Sequence, residues 1–404
     1  MKKAILFFSL TVFCITASIA QSSPSRVVGY IPTWVNFSAL LHETDFSSYS
    51  HIMLAFANPD IDGNVSIGAS EADVKRLIRK AHQSGCLVLM SIGGGSTTIN
   101  DAWHENMKSS NRPRVIGNLI AFMQAHGFDG IDVDLEGDLV LSSAYPAFVR
   151  ELDEHLPETK LYTAAMATWS ATNLQSETLD RYDFIGVMSY DQTGPWTPNT
   201  PGQHSSYDNA VYDIGYWKNT KKLSADKVVL GLPFYGYNFE SATQIRSMVY
   251  RDIVAQYEGA EALDQVDNIY YNGQPTIRAK SELALEQAGG VMIWEITQDV
   301  SYSDERSLLR TIHEVIEPVH QEILSTGLGV EADSIYPNPT HDYLILPELG
   351  RDDTVTIVTL QGTQVWSGMA DAERQIDVRS LSSGIYLVRI ENNQRVKSLR
   401  FIKE

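Results

Sequence analysis

Short apolar runs alternate with amphipathic stretches over residues 26–322 of the chain. The runs are VVGYIP (27–32), HIMLAFA (51–57), CLVLMSIGG (86–94), GFDGIDVDLE (127–136), KLYTAAMAT (160–168), YDFIGVMSYD (182–191), KVVLGLPFYGY (227–237) and GGVMIWEI (289–296). Between most of them apolar positions recur at the helical period, over 71–83, 112–126, 143–155, 210–218 and 280–287, and once more over 304–324 after the eighth run. Short continuous apolar runs of this kind suit strands buried on both faces, as in a parallel sheet. Eight of them with helices between, in about 300 residues, predict a (β/α)8 TIM barrel. That domain is expected over residues 21–328. A doubly wound open sheet is the structural alternative, but no GxGxxG turn follows the first run.

Beyond residue 328 the texture shifts to alternating β-type runs: YLIL (343–346), TVTIVTL (354–360), TQVWS (363–367), GIYLVRI (384–390) and RVKSLRFI (395–402), with Gly362, Gly368 and Gly384 supplying turns. The cluster Tyr336-Pro337-Asn338-Pro339-Thr340 fits neither a helix nor a central strand. Residues 333–404 therefore predict a small all-β sandwich module. At the other end, Lys2 and Lys3 precede an apolar stretch over 4–19, and Ser18-Ile19-Ala20 offers a small-x-small cleavage site. Residues 1–20 are expected to be a secretory signal peptide. Cys14 follows Phe13, where a lipoprotein signal has a small residue, so lipidation is not expected. No later stretch has the length of a membrane span, so no transmembrane segment is expected.

Charge narrows the partners. Thirty-one Lys and Arg against fifty Asp and Glu give a net charge of −19. A nucleic-acid binder needs a basic face to track phosphates, and an anionic membrane surface repels an acidic protein. Hydrophobic residues at 43% and charged residues at 20% supply a large core and exclude a disordered polyelectrolyte. Removal of residues 1–20 leaves Cys86 as the one cysteine, so no internal disulfide is available. Cys86 heads an apolar run and is expected to be a buried thiol. The chain is expected to be monomeric.

The most informative segment is Asp129-Gly130-Ile131-Asp132-Val133-Asp134-Leu135-Glu136. At the strand period Ile131, Val133 and Leu135 share one face, and Asp132, Asp134 and Glu136 share the other. On a barrel strand the apolar face packs against helices and the acidic face lines the interior. Crowding and desolvation raise carboxyl pKa values, so at least one proton is expected to persist near neutral pH. A protonated carboxyl at the C-terminal end of a barrel strand is placed to act as a general acid. Asp-x-Asp-x-Glu also offers oxygen ligands for a hard metal, but its intervening residues are not the turn formers of a calcium loop. No metal or other cofactor is expected.

Residues 128–136, FDGIDVDLE, resemble the DGxDxDxE signature of glycoside hydrolase family 18, the chitinases. Ser91-Ile92-Gly93-Gly94 resembles that family's SxGG on the third strand, and Met188-Ser189-Tyr190-Asp191 its M-x-Y-D on the sixth. Residues 231–236, GLPFYG, resemble the seventh strand, and 289–294, GGVMIW, the eighth with its Trp at the base of the substrate site. The resemblance spans about residues 26–322 and rests on five motifs in the expected order.

The resemblance implies a retaining, substrate-assisted mechanism, an exception to the two-carboxylate scheme of most glycosidases. Glu136 would protonate the glycosidic oxygen, and the substrate's own 2-acetamido group would act as nucleophile. Asp134 would hold the acetamido N–H, with Asp132 sharing a proton with it. Tyr190 would position the acetamido oxygen, Asp191 would contact the same sugar, and Trp294 would be the floor on which that sugar stacks. Tyr30, Trp34, Phe56, Trp103 and Trp196 lie near or just past strand ends and are candidates for stacking other sugars. Met188 is expected beneath the site. Ser91, Gly93 and Gly94 are expected to be structural, their small size letting the third strand approach the acidic one.

The implied substrate is chitin or N-acetylglucosamine oligosaccharides. Close alternatives are an endo-β-N-acetylglucosaminidase on N-glycan cores and a non-catalytic chitin-binding lectin, though lectins on this barrel typically lose the acid that Glu136 retains. Many relatives insert an α+β domain between strands seven and eight. Here residues 238–288 must also hold a helix, which leaves little for a full insert and favours an open cleft with endo-type cutting.

The tail resembles the type A sorting domain of the type IX secretion system of Gram-negative bacteria, through YPNPT (336–340), LSSGIYLVRI (381–390) and KSLRFIKE (397–404). A small carbohydrate-binding sandwich is the alternative, but its one Trp, Trp366, makes no aromatic platform. The resemblance implies export through the periplasm by the type IX machinery to a secreted or cell-surface location.

Overall fold

Eight of the apolar runs form parallel strands: β1 (Arg26–Pro32), β2 (His51–Ala55), β3 (Leu87–Gly94), β4 (Gly130–Leu135), β5 (Leu161–Met166), β6 (Phe184–Val187), β7 (Val228–Pro233) and β8 (Gly290–Trp294). Each is hydrogen-bonded to its neighbour in sequence, and β8 closes onto β1, giving a closed barrel. The computed structural model describes residues 25–325 and, in the tail, 340–346, 354–359, 364–368, 375–382, 384–392 and 395–403. The expected signal peptide and the Tyr336–Pro339 part of the turn cluster lie outside the described residues.

The strand period sorts side chains into two layers. Ile131, Val133 and Leu135 of β4 join the large core between strands and helices. A second cluster fills the barrel interior with Val28, Tyr30, Met53, Leu89, Phe184, Val229 and Met292. Asp132 and Asp134 are the carboxylates that β4 sends into that interior. Cys86 is buried, and burial pushes its thiol pKa up.

Helices form where their caps say they should. Helix Glu71–Gln83 starts at Ser70, whose Oγ accepts the Asp73 N–H at 3.2 Å, and Glu71 and Asp73 occupy its positive first turn. Helix Arg112–His126 ends at Gly127 with φ +85°, a left-handed conformation that glycine adopts without strain. Helix Gln274–Gln287 starts earlier than the predicted 280 because Pro275 sits in its first turn, where no N–H is needed.

The largest departure lies between β7 and β8. The apolar run 227–237 reads as one strand, but β7 stops at Pro233, and the Phe234 N–H donates to Trp294 O at 2.9 Å. Tyr235–Ser241 then opens a separate antiparallel sheet with Gln244–Val249, Ile269–Tyr270 and Gln265–Val266. The interval thus holds a small four-stranded insert as well as helix Gln274–Gln287.

In the tail, Gln364–Gly368, Thr354–Thr359, Gly384–Asn392 and Arg395–Lys403 pair in that order as an antiparallel sheet. Tyr343–Ile345 pairs with Gln375–Asp377, a strand too short for its period to show in the sequence. Leu344, Ile357, Ile376, Val388 and Phe401 share one apolar core.

Candidate active site

Register builds the site from its deepest residue upward. Ser91 on β3 and Thr163 on β5 pair with Asp132 on β4. Residues at one register of a parallel sheet point to the same face, so all three side chains meet inside the barrel. Ser91 Oγ donates to Asp132 Oδ2 and Thr163 Oγ1 to Oδ1, each at 2.7 Å. The Tyr30 hydroxyl, from β1, adds a third donor to Oδ2 at 2.7 Å. Burial raises the Asp132 pKa, and these three hydrogen bonds pull it back.

Asp134 lies one pleat higher and has a different environment. It is 2% exposed, and its Oδ1 has no hydrogen-bond partner among the described residues. Burial, then the charges of Glu136 and Asp132, hold its pKa well above the usual carboxylate range. Glu136 is pushed up to about 7, first by burial and then by Asp191. All three carboxyls are shifted upward, and with Glu136 at about 7 the cluster holds at least one proton near neutral pH, as the strand pattern predicts.

Two glycines let the backbone crowd these acids. Gly93 has φ +106°, and a Cβ there would lie 2.1 Å from Asp134 O. A Cβ on Gly95 would stand 3.1 Å from Glu136 Oε1. Asn58 fixes Gly93 from the other side, donating Nδ2–H to its O and accepting its N–H at Oδ1, both at 2.9 Å.

Asp134 and Glu136 line a cleft of about 690 Å³ at the C-terminal mouth of the barrel, together with Met188, Tyr190, Asp191 and Trp294. The Tyr190 hydroxyl has one hydrogen-bond contact among the described residues, the weak acceptor Met292 Sδ at 3.8 Å, so it is available to a ligand. Asp191 has φ +65°, an uncommon conformation for a residue with a side chain. The hydroxyls of Tyr235 and Tyr237 both donate to its Oδ1, at 2.6 and 3.0 Å. Trp294 stacks on Phe56 with ring centroids 5.9 Å apart and planes 21° apart. Trp34 and Trp196 also line the cleft and are 66% and 54% exposed.

Two expected stacking residues do not line the cleft. Trp103 is fully buried, and its indole N–H donates to Asn58 Oδ1 at 2.8 Å, so it supports the Asn58 clamp from below. Tyr30 is buried as well, its ring tilted 55° against Trp294 and its hydroxyl committed to Asp132. Ser91 is more than a small spacer, because its hydroxyl bonds Asp132. Sequence reasoning missed Asn58, Thr163, Tyr235 and Tyr237. For Thr163 the available signal was a hydroxyl inside an apolar strand at an interior-facing position.

A groove of about 750 Å³ lies elsewhere, between helix Phe37–Glu43 and the 296–304 loop, and none of the β4 carboxylates reaches it. Among the described residues no group of His, Cys, Asp and Glu is arranged to hold a metal ion, and no helix is long and apolar enough to cross a membrane.

Residues 26–299 match the family described as glycosyl hydrolases family 18, and residues 334–404 match the secretion system C-terminal sorting domain. The fold is similar to the GH18 chitinase ChiB from the chitin utilization locus of Flavobacterium johnsoniae, at 37% identity and a TM-score of 0.69, over 74% of this chain and 96% of that one. A chitinase from Bacteroides thetaiotaomicron is similar at 29% identity and a TM-score of 0.67, over 74% and 98%. Among curated proteins, a probable chitinase 10 of Drosophila melanogaster is 25% identical over 393 residues. That match takes in 76% of this chain and 17% of the fly protein, so the chain spans a small part of that relative's length.

Proposed function

The chain belongs to the family 18 glycosyl hydrolases and carries a type IX secretion sorting domain, and we propose that it is an exported chitinase working by substrate-assisted, retaining catalysis. The observation that carries this reading is the orphaned Asp134 Oδ1, buried in the cleft beside a Glu136 whose pKa sits at about 7. A buried carboxylate oxygen without a donor is costly, and an acetamido N–H of a bound N-acetylated sugar would supply one.

The sugar lies on Trp294, its acetamido group between Asp134 and the Tyr190 hydroxyl. Glu136, protonated, gives its proton to the glycosidic oxygen as the acetamido carbonyl oxygen attacks the anomeric carbon from the opposite face. The C–O bond to the leaving sugar breaks, and an oxazolinium ion forms. Asp134 accepts the acetamido N–H and offsets the positive charge, while Asp132, held by three donors, shares the pair's remaining proton. Glu136, now a carboxylate, takes a proton from water, which opens the ring from the leaving-group side. Two inversions give net retention.

Cutting within chains is the mode we propose. The insert between β7 and β8 is a small sheet, and exposed Trp34 and Trp196 line the cleft as platforms for further sugars. The sorting domain supports passage through the periplasm to the cell surface or medium. Incubating the protein with an N-acetylglucosamine hexamer and, separately, with a high-mannose glycoprotein tests the substrate. Cleavage of the hexamer into a mixture of short oligomers is expected. Release of glycan from the glycoprotein with the hexamer intact would replace this reading by an endo-β-N-acetylglucosaminidase.

A further inference from the structure

Lys280 lies on helix Gln274–Gln287 with no solvent exposure at all. A buried ammonium is tolerated only when its N–H groups are all bonded, and all three are. They donate to Ser205 O and Ser205 Oγ, both at 2.7 Å, and to Asn272 Oδ1 at 2.8 Å. Asn272 Nδ2 returns to Ser205 O at 2.8 Å, so the serine backbone is held twice. Burial pulls the lysine pKa down to about 7, against the pull of Asp264 and Asp213.

These bonds have a direction. Ser205 Oγ accepts from Lys280, so its own proton is directed elsewhere, and it goes to the Ser189 carbonyl oxygen at 2.6 Å. Ser189 immediately precedes Tyr190 and Asp191. Its hydroxyl is fixed in turn by Asn209 Nδ2 at 3.1 Å. The neighbour of Ser205 completes the contact: His204 Nδ1 accepts the Asp191 N–H at 3.4 Å, and His204 O accepts the Gln192 N–H at 2.9 Å. Residues 204–205 thus lie along residues 189–192 and hold them by backbone groups, including the left-handed Asp191.

We propose that Lys280 is a positioning residue for the sugar-facing pair Tyr190–Asp191, acting through Ser205 and Ser189 without touching substrate. The proposal rests on the reading of this cleft as a chitinase site. Tyr190 and Asp191 aim groups at the acetamido function as it becomes the nucleophile. A small rotation of the Ser189 peptide therefore affects the transition state more than ground-state binding.

The test is steady-state hydrolysis of an N-acetylglucosamine hexamer by wild type, Ser205→Ala and Lys280→Met, each checked by thermal melting. Ser205→Ala keeps the lysine's bonds to Ser205 O and Asn272 and loses the hydroxyl, which is both the relay to Ser189 O and the lysine's third acceptor. It is expected to remain folded with a somewhat lower melting temperature, and to lower kcat about tenfold with KM within about twofold. Lys280→Met is expected to give a kcat loss at least as large. A folded Ser205→Ala protein with wild-type kcat overturns the proposal, as does a loss confined to KM. A wild-type protein that leaves the hexamer intact overturns the chitinase reading instead.

Discussion

The Tyr30 hydroxyl donates to Asp132 Oδ2 at 2.7 Å, across the barrel interior and beneath Trp294. The residue that resembles a sugar platform in the sequence is one of three donors that tune the lowest acid. Removing it in Tyr30→Phe keeps the ring and takes away a bond to the charged form of Asp132, so the Asp132–Asp134 pair holds its proton more tightly. The acidic limb of the kcat/KM profile is expected to move to higher pH, with kcat down several-fold. A superimposable profile would contradict the link.

Glu136 sets the other limb. The proposed mechanism needs its proton for the first step, and burial pushes its pKa up to about 7, so activity is expected to fall as the pH rises through that value. The same shift makes a stability prediction. The folded chain retains a proton that an unfolded Glu releases near its ordinary value of 4.5, so this site's contribution falls as the pH rises from there to about 7. Glu136→Gln is expected to raise the melting temperature at pH 8 and change it little at pH 4. Equal gains at both would contradict the assignment.

Two tryptophans that look alike in the sequence are expected to fail differently. Trp103→Phe loses the bond to Asn58 and lowers stability by about 1–3 kcal/mol, with KM for the hexamer nearly unchanged. Trp34→Ala leaves the melting temperature alone and raises KM several-fold, because an exposed ring offers only a stacking face. Reversed effects would return Trp103 to the cleft.

Deleting residues 333–404 removes the sorting domain and leaves the barrel's own cores intact. The truncated protein is expected to be active and to accumulate in the periplasm of its host. Normal appearance in the medium or on the surface would show that the tail has another role.

The barrel was legible because strands buried on both faces leave continuous apolar runs, and three carboxylates at period 2, two on β4 and Glu136 just past its end, stand out against such a background. What escaped has physical causes. The run 227–237 is apolar without a break, yet tertiary contact between Phe234 and Trp294 ends β7 and starts the insert. The strands Gln265–Val266 and Ile269–Tyr270 are too short to carry a period. Helix Gln274–Gln287 starts before its apolar period shows, with Pro275 in its first turn. Trp34 sits in the turn after β1 and Trp103 on the short helix Asn100–Asn106, whose packing turns its ring inward. The Lys280 relay joins residues 75 and 16 positions apart, so only the folded chain shows it.

The central claim is that the substrate's acetamido group is the nucleophile and Glu136 serves as acid and then as base. The most direct measurement is proton NMR of the anomers formed in the first minutes of hexamer hydrolysis. The account predicts new reducing ends that appear as the β-anomer and then mutarotate toward equilibrium. New ends that appear first as the α-anomer would mean single inversion by water, and would contradict it.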